Sequence, residues 1–305
     1  MAMDNDLLAT RRSFLGVAAA GAAGMIMSAS STTAELPAKN GSDPSNAGRI
    51  FKSVKWGMVD IKGTVLEKFE LQKELGFDGV ELVSPSSMNF QEAVEASRKT
   101  GLPIHGAVDS VHWQDRLSSP DEKTRAKGLA ALQQAIRDVA FCGGSAVLLV
   151  PGKVTGPDET HDDVWKRSIV EIRKALPLAA KSGVRILIEN VWNGFCEKPE
   201  QMRDYIDDIG SPWVGAYFDI GNCRKFGPSE TWVRVLGPRI VKLDVKDWGV
   251  KNGFCKIGDG DVNWPEVRKA LAEIGFAGWC TAEVDGGGRE QLADIAARMN
   301  RVLAL

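Results

Sequence analysis

From about residue 54 onward, apolar and polar positions follow two rhythms that take turns along the chain. Short apolar runs give way to longer stretches in which apolar residues return every three or four positions. The first rhythm belongs to buried strands and the second to amphipathic helices. Residues 54–58 read as a first strand, and 65–75 as a helix stopped by Gly76. Strands follow at 79–82, 103–108 and 146–150, interleaved with helices over 89–100, 121–142 and 161–182. Apolar runs at 185–190, 214–219, 240–247 and 278–284 continue the series, with helices near 199–209, 230–236, 264–274 and 290–303. Strict alternation of this kind predicts a parallel sheet with helical crossovers. Eight units in about 250 residues favour a single closed (β/α)8 TIM barrel over an open sheet. No Gly-x-Gly-x-x-Gly follows the first strand, which argues against a dinucleotide-binding fold.

The alternation does not extend to the start of the chain. Arg11-Arg12-Ser13-Phe14-Leu15 precedes an Ala/Gly/Met-rich apolar run to Met27 and a small-residue region near Ala34. Residues 1–34 therefore read as a twin-arginine export signal, 35–50 as a disordered linker and 51–305 as the barrel. The apolar run is too short for a membrane span. The expected location is periplasmic or extracytoplasmic, reached folded through the twin-arginine export machinery. Such a route lets a metal be loaded before export. The five cysteines form no Cys-x-x-Cys pair and read as mostly buried, free thiols.

Composition narrows the chemistry. The net charge of -2 and pI near 6.0 come with no basic stripe, so no nucleic-acid partner is expected. What stands out is a set of acids at strand ends. Glu189, Asp219, Asp244 and Glu283 each lie at or near the end of one of the last four barrel runs. Residues two apart in a strand share a face. Val241, Leu243 and Val245 suit the helix-facing side of their strand, which turns Lys242, Asp244 and Lys246 inward. Glu189, Asp219 and Glu283 have a parity that also allows them to point inward, near the C-terminal rim where barrel active sites lie. Four adjacent carboxylates repel, and a hard divalent cation with oxygen ligands would relieve the repulsion.

Ile188-Glu189-Asn190, Phe218-Asp219-Ile220-Gly221-Asn222, Val245-Lys246-Asp247, Gly258-Asp259-Gly260-Asp261-Val262-Asn263-Trp264 and Gly278-Trp279-Cys280-Thr281-Ala282-Glu283 occur in this order. In that order and spacing the chain resembles the xylose-isomerase-like barrel superfamily, the sugar isomerase/epimerase group that also includes endonuclease IV. The resemblance covers about residues 54–304. It implies that Glu189, Asp219 and Glu283 are metal ligands and that Glu189 and Glu283 form an acid/base pair on opposite sides of a sugar. Asp244 departs from the family pattern, where a metal-binding His usually precedes the Lys-Asp pair. The resulting all-oxygen set favours Mn²⁺ or Mg²⁺ ahead of Co²⁺ or Zn²⁺. It also leaves excess negative charge unless Lys242 or Lys246 compensates. Three histidines are too few for the trinuclear zinc site of an endonuclease.

Around this centre, His105 and His112 are candidates to reach substrate hydroxyls. Trp113 offers an aromatic face at the rim, Glu81 ends the second strand, and Lys246 and Asp247 are candidates to position the substrate. The expected reaction is metal-assisted proton transfer next to a sugar carbonyl, through an enediolate, giving isomerisation or epimerisation. Lyase or hydratase chemistry on oxidised glycosides is the alternative, followed by a non-catalytic carbohydrate-binding barrel. A homodimer is compatible with the sequence.

Overall fold

The computed structural model describes Asn46 and residues 48–305. The export signal read over 1–34 lies outside the described residues, as does the linker except for Asn46 and residues 48–50. In chain order the strands are β1 (Ile50–Lys55), β2 (Gly79–Ser84), β3 (Ile104–Asp109), β4 (Ala146–Leu149), β5 (Arg185–Glu189), β6 (Val214–Asp219), β7 (Ile240–Val245), β8 (Asp247–Gly249), β9 (Gly253–Cys255) and β10 (Gly278–Ala282). The helices are α1 (Val65–Glu74), α2 (Phe90–Thr100), α3 (Glu122–Phe141), α4 (His161–Ser182), α5 (Pro199–Ile209), α6 (Ser229–Leu236), α7 (Trp264–Glu273) and α8 (Arg289–Leu303). Eight strands close into a parallel barrel in the order β1-β10-β7-β6-β5-β4-β3-β2, with β1 pairing β2. The predicted (β/α)8 barrel is therefore the observed fold.

Local chemistry sets the helix limits. Thr64 and Thr160 open α1 and α4 with reciprocal capping boxes to Glu67 and Asp163. Asn89 and Asp121 accept backbone N–H bonds at the starts of α2 and α3. Most of the apolar core lies outside the barrel, between strands and helices, and includes Leu82, Ile136, Ile172, Phe218 and Val267. Inside the barrel, Ala146, Leu148, Leu187 and Tyr217 form a separate small cluster. The interior is otherwise strongly polar, which is where the chemistry lies.

Two elements depart from the sequence reading. The first strand runs over Ile50–Lys55 rather than 54–58, and Trp56–Met58 is a 3₁₀ turn. Ile50, assigned above to the linker, pairs with Gly278 of β10. Lys52 disguised the strand: its stem is buried while its ammonium group reaches Asn300. The second departure is the antiparallel hairpin β8–β9 between β7 and α7. All five cysteines are free, three of them buried. No described helix is long and apolar enough to cross a membrane.

Candidate active site

Strand register brings the four acids together. Asp219 and Asp244, on β6 and β7, are direct cross-strand partners. Glu189 ends β5 beside them, and Glu283 follows β10, its backbone N–H donating to the Val245 carbonyl at 3.2 Å. One carboxylate oxygen from each of the four lies within 4.8 Å of the others. Asp219 and Asp244 are fully buried, Glu189 nearly so, and the Glu283 side chain is 31 % exposed.

The two aspartates are held by one oxygen and present the other. Asp219 Oδ1 accepts N–H bonds from Gly221 (2.8 Å) and Asn222 (2.7 Å), while its Oδ2 has no aligned donor. Asp244 Oδ2 accepts from Lys55 Nζ at 2.9 Å, and its buried Oδ1 has no partner. Asn190 fixes the junction of β5 and β6: its amide donates to the Asp219 carbonyl at 2.9 Å and accepts from the Asp219 N–H at 2.8 Å. Gly221 is required here because a Cβ would meet Lys246 at 2.8 Å. These contacts account for the Glu189-Asn190 and Asp219-Ile220-Gly221-Asn222 motifs.

Two lysines bracket the acids. Lys55 Nζ lies 2.9 Å from Asp244 and 3.2 Å from Glu283. Lys246 Nζ lies 3.1 Å from Asp219 and 3.3 Å from Glu283. Unpaired buried oxygens are costly unless something positive meets them. Oxygens bound across a hard divalent cation stand about 4–5 Å apart, which matches this cluster. Four carboxylates, two ammonium groups and one divalent cation make a neutral site. The residues present thus fit such a cation, and Lys55 together with Lys246 removes the excess negative charge expected of an all-acid set.

The protein groups alone leave the acids strained against one another. Burial pushes Glu189 and Asp244 well above the usual carboxylate range, despite the opposing pull of Lys55. Burial also raises Asp219 to about 6 against the pull of Lys246. Burial acts on Glu283 in the same direction, but Lys55 and Lys246 outweigh it and hold that carboxyl at about 2. Lys55 itself is disfavoured by burial, yet Asp244, Glu283, Glu189 and Glu81 keep it firmly charged.

Several sequence candidates fall below this rim. His105 is near the start of β3 and buried, with Nε2 2.8 Å from Ser53 Oγ and Nδ1 2.7 Å from Lys242 Nζ. Its ring stacks on Trp279 at 4.3 Å. Both nitrogens are committed, so His105 supports the barrel interior and does not reach a substrate. Lys242 also donates to the His105 carbonyl at 2.7 Å; it serves His105 and not the acids. Glu81 is fully buried and accepts from Tyr217 OH at 2.8 Å. Tyr217 OH continues to Thr281 Oγ1 (2.6 Å) and Thr281 Oγ1 to Ser53 Oγ (2.9 Å), completing a chain from Glu81 to Lys242.

Asp247 is likewise not at the mouth. Its carboxylate accepts from the N–H groups of Trp248, Gly258 and Val262 and from Trp264 Nε1, at 2.9, 2.8, 3.3 and 3.0 Å. It organises the loop carrying the Gly258–Trp264 motif. A Cβ on Gly260 would come within 2.2 Å of its Oδ1.

The remaining candidates line one cavity of about 490 Å³ above the acids, a size suited to a small ligand. Lys246, His112 and Trp113 face it, joined by Trp192 and Phe254. His112 Nδ1 accepts from the Val150 N–H at 3.3 Å, which places the proton of the neutral ring on Nε2. Burial, reinforced by Lys55, holds His112 at about 3, so the ring is neutral. Glu189 and Glu283 line this cavity, whereas Asp219 and Asp244 lie beneath it. Lys55 and Asp109 also line it, and both escaped the sequence reading. Each ends an inward-facing strand, β1 and β3, and with β1 correctly placed the strand-end rule that located the acids would have found Lys55.

Comparison with known proteins agrees with this architecture. The chain is 26 % identical over 228 residues to the L-ribulose-5-phosphate 3-epimerase UlaE of Escherichia coli K12, covering 70 % of this chain and 79 % of that protein. Among solved structures, 3-keto-D-glucoside 4-epimerase YcjR of E. coli superposes with a TM-score of 0.72 at 16 % identity, covering 84 % of this chain and all of the other. D-allulose 3-epimerase of Methylomonas sp., solved with D-allulose, gives 0.71 at 16 % identity, covering 85 % and 97 %. At such identities the superpositions establish the fold alone. The family profile described as xylose isomerase-like TIM barrel matches residues 69–302, and the chain belongs to that family.

Proposed function

We propose that this protein is a sugar epimerase or isomerase that moves a proton at a carbon next to a carbonyl, with Glu189 and Glu283 as the acid/base pair. The observation that carries this reading is the division among the four acids. The two glutamates face the cavity, while the two aspartates are buried below it and cannot touch a substrate. The sequence similarity to a named sugar-phosphate epimerase supports the same chemistry.

Glu189, Asp219, Asp244 and Glu283 would hold a divalent cation, and their all-oxygen donor set suits Mn²⁺ or Mg²⁺. When bound, such a cation supplies positive charge beside the substrate carbonyl and acidifies the adjacent C–H. Glu189 and Glu283 then accept the proton and return it. Their environments push them in opposite directions, as an acid/base pair requires. His112 Nε2–H is placed to orient a substrate oxygen, Lys246 lines the cavity while paired with Asp219 and Glu283, and the exposed Trp113 provides a face for the apolar side of a sugar ring.

Incubation of the Mn²⁺-loaded protein with keto-sugars in D₂O tests the proposal. Deuterium should enter at the carbon beside the carbonyl, and Glu189→Gln and Glu283→Gln should each abolish it. Turnover without exchange at that carbon, or no turnover of any keto-sugar, would remove this reading.

A further inference from the structure

A second cavity, of about 480 Å³, adjoins the first. The two share Lys246, Phe254 and Glu283 on their walls, so they are adjacent lobes with an active-site glutamate between them. The second lobe runs between the strand carrying Phe254, the Val284–Asp285 segment and one face of α8 bearing Gln291 and Asp294. Phe254 is half exposed at the junction and stacks on Trp192 at 4.7 Å.

Charge in this cleft disfavours one class of ligand. A phosphate is usually met by an unpaired cation or a free helix N-terminus. Every lysine and arginine lining the two lobes, among the described residues, is already paired. Lys55 and Lys246 hold the active-site acids. Lys256 lies 3.0 Å from Asp294. Arg298 spans Asp294 (3.0 Å), Asp259 (2.8 Å) and the Ile257 carbonyl (2.9 Å). In the glycine run before α8, where barrels often bind phosphate, the Gly287 N–H is turned to the Met58 carbonyl at 2.9 Å. Asp285 precedes that run with an exposed carboxylate, and Arg289 turns away to Glu74.

We infer that the second lobe is a subsite for a second, neutral sugar unit, so that the substrate is an unphosphorylated two-unit glycoside whose reacting keto-sugar lies over Glu189 and Glu283. The inference rests on the proposed reaction for which unit reacts. The subsite itself rests on the cleft. Phe254 offers half-exposed aromatic surface at the junction, beside the Trp192 ring on which it stacks, and the Asp285 and Gln291 side chains offer polar groups that match sugar hydroxyls.

The test is calorimetric titration of the full, Mn²⁺-loaded protein with D-fructose, D-fructose 6-phosphate and three ketose disaccharides of different linkage: lactulose, isomaltulose and turanose. At least one disaccharide should bind about tenfold tighter than fructose, the worth of one well-stacked ring. Fructose 6-phosphate should gain nothing over fructose. Gln291→Trp, which fills the second lobe from a half-buried helix position, should bring the disaccharide back to the affinity of fructose, with the melting temperature confirming a folded variant. Tighter binding of fructose 6-phosphate, no gain for any disaccharide, or a gain that survives Gln291→Trp would each overturn the inference. Deuterium exchange separates the two proposals: a disaccharide gain sensitive to Gln291→Trp without exchange upholds the subsite and removes the reaction.

Discussion

The barrel interior holds two polar layers that differ in how their atoms are satisfied. In the lower layer, Glu81, Tyr217, Thr281, Ser53, His105 and Lys242 form a continuous hydrogen-bonded chain, and Glu81 Oε2 is its one unpaired oxygen. In the upper layer, Asp219 Oδ2, Asp244 Oδ1 and Glu283 Oε2 are buried without an aligned donor. Both layers are inward-facing and rich in ionisable groups. The lower one is satisfied within the chain except at that oxygen, whereas the upper one clusters its unbonded oxygens around two lysines, as the proposed cation site would require. Unsatisfied buried oxygens in a cluster therefore discriminate a binding site from a scaffold better than burial or charge does.

Substitutions should separate the layers. The largest effect belongs to the rim glutamates: Glu189→Gln or Glu283→Gln should lower turnover by about a thousandfold, the worth of a positioned acid or base, with little change in melting temperature. Comparable loss of stability and activity would place these residues in the scaffold. Next is Asp247→Ala, which strands four N–H donors and should destabilise the fold by about 3 kcal/mol in denaturant unfolding. An unchanged midpoint would contradict the role assigned to Asp247. Tyr217→Phe removes one link of the lower chain and should cost about 1–2 kcal/mol while leaving Mn²⁺ uptake intact. A large loss of metal binding would merge the two layers into one functional unit.

The smallest effect is graded with pH. Asp219 has a folded pKa of about 6, above its ordinary value of 3.8. A carboxyl raised in this way binds protons more readily when folded. Its contribution to stability is therefore present at low pH and lost as pH rises from about 4 to 6. Metal uptake has the opposite sign, because a cation displaces those protons. Mn²⁺ affinity should rise by up to about tenfold per pH unit for each proton displaced, and Asp219 adds its share up to about pH 6. Affinity independent of pH between 5 and 7, measured by titration calorimetry, would mean that Asp219 binds no metal.

The same two layers mark how far the sequence could be read. Periodicity was enough for the barrel, because apolar runs and helical spacing report directly on burial. Parity and the 25- to 39-residue spacing of the acids were enough to predict their convergence. Parity reports which face of a strand a residue occupies, but not its depth. His105 and Lys242 face inward as expected, yet each sits early in its strand and below the rim. One pair of residues along a strand is about 7 Å, the difference between touching a substrate and supporting the floor. Lys55 and Asp109 show the complementary limit: both end strands at the rim, but an amphipathic lysine stem blurs the limits of β1, and Asp109 lies beyond the apolar run that marks β3. Asp247 shows a third limit, since its role depends on N–H groups from a loop whose path no periodicity encodes.

Mn²⁺ titration of the wild-type protein beside Asp219→Asn and Asp244→Asn tests the central claim most directly. The wild-type chain should bind about one equivalent, and each substitution should weaken binding by at least about tenfold. Less than about a tenth of an equivalent in the wild type, or binding unaffected by either substitution, would contradict the assignment of these strand-end acids to a metal centre.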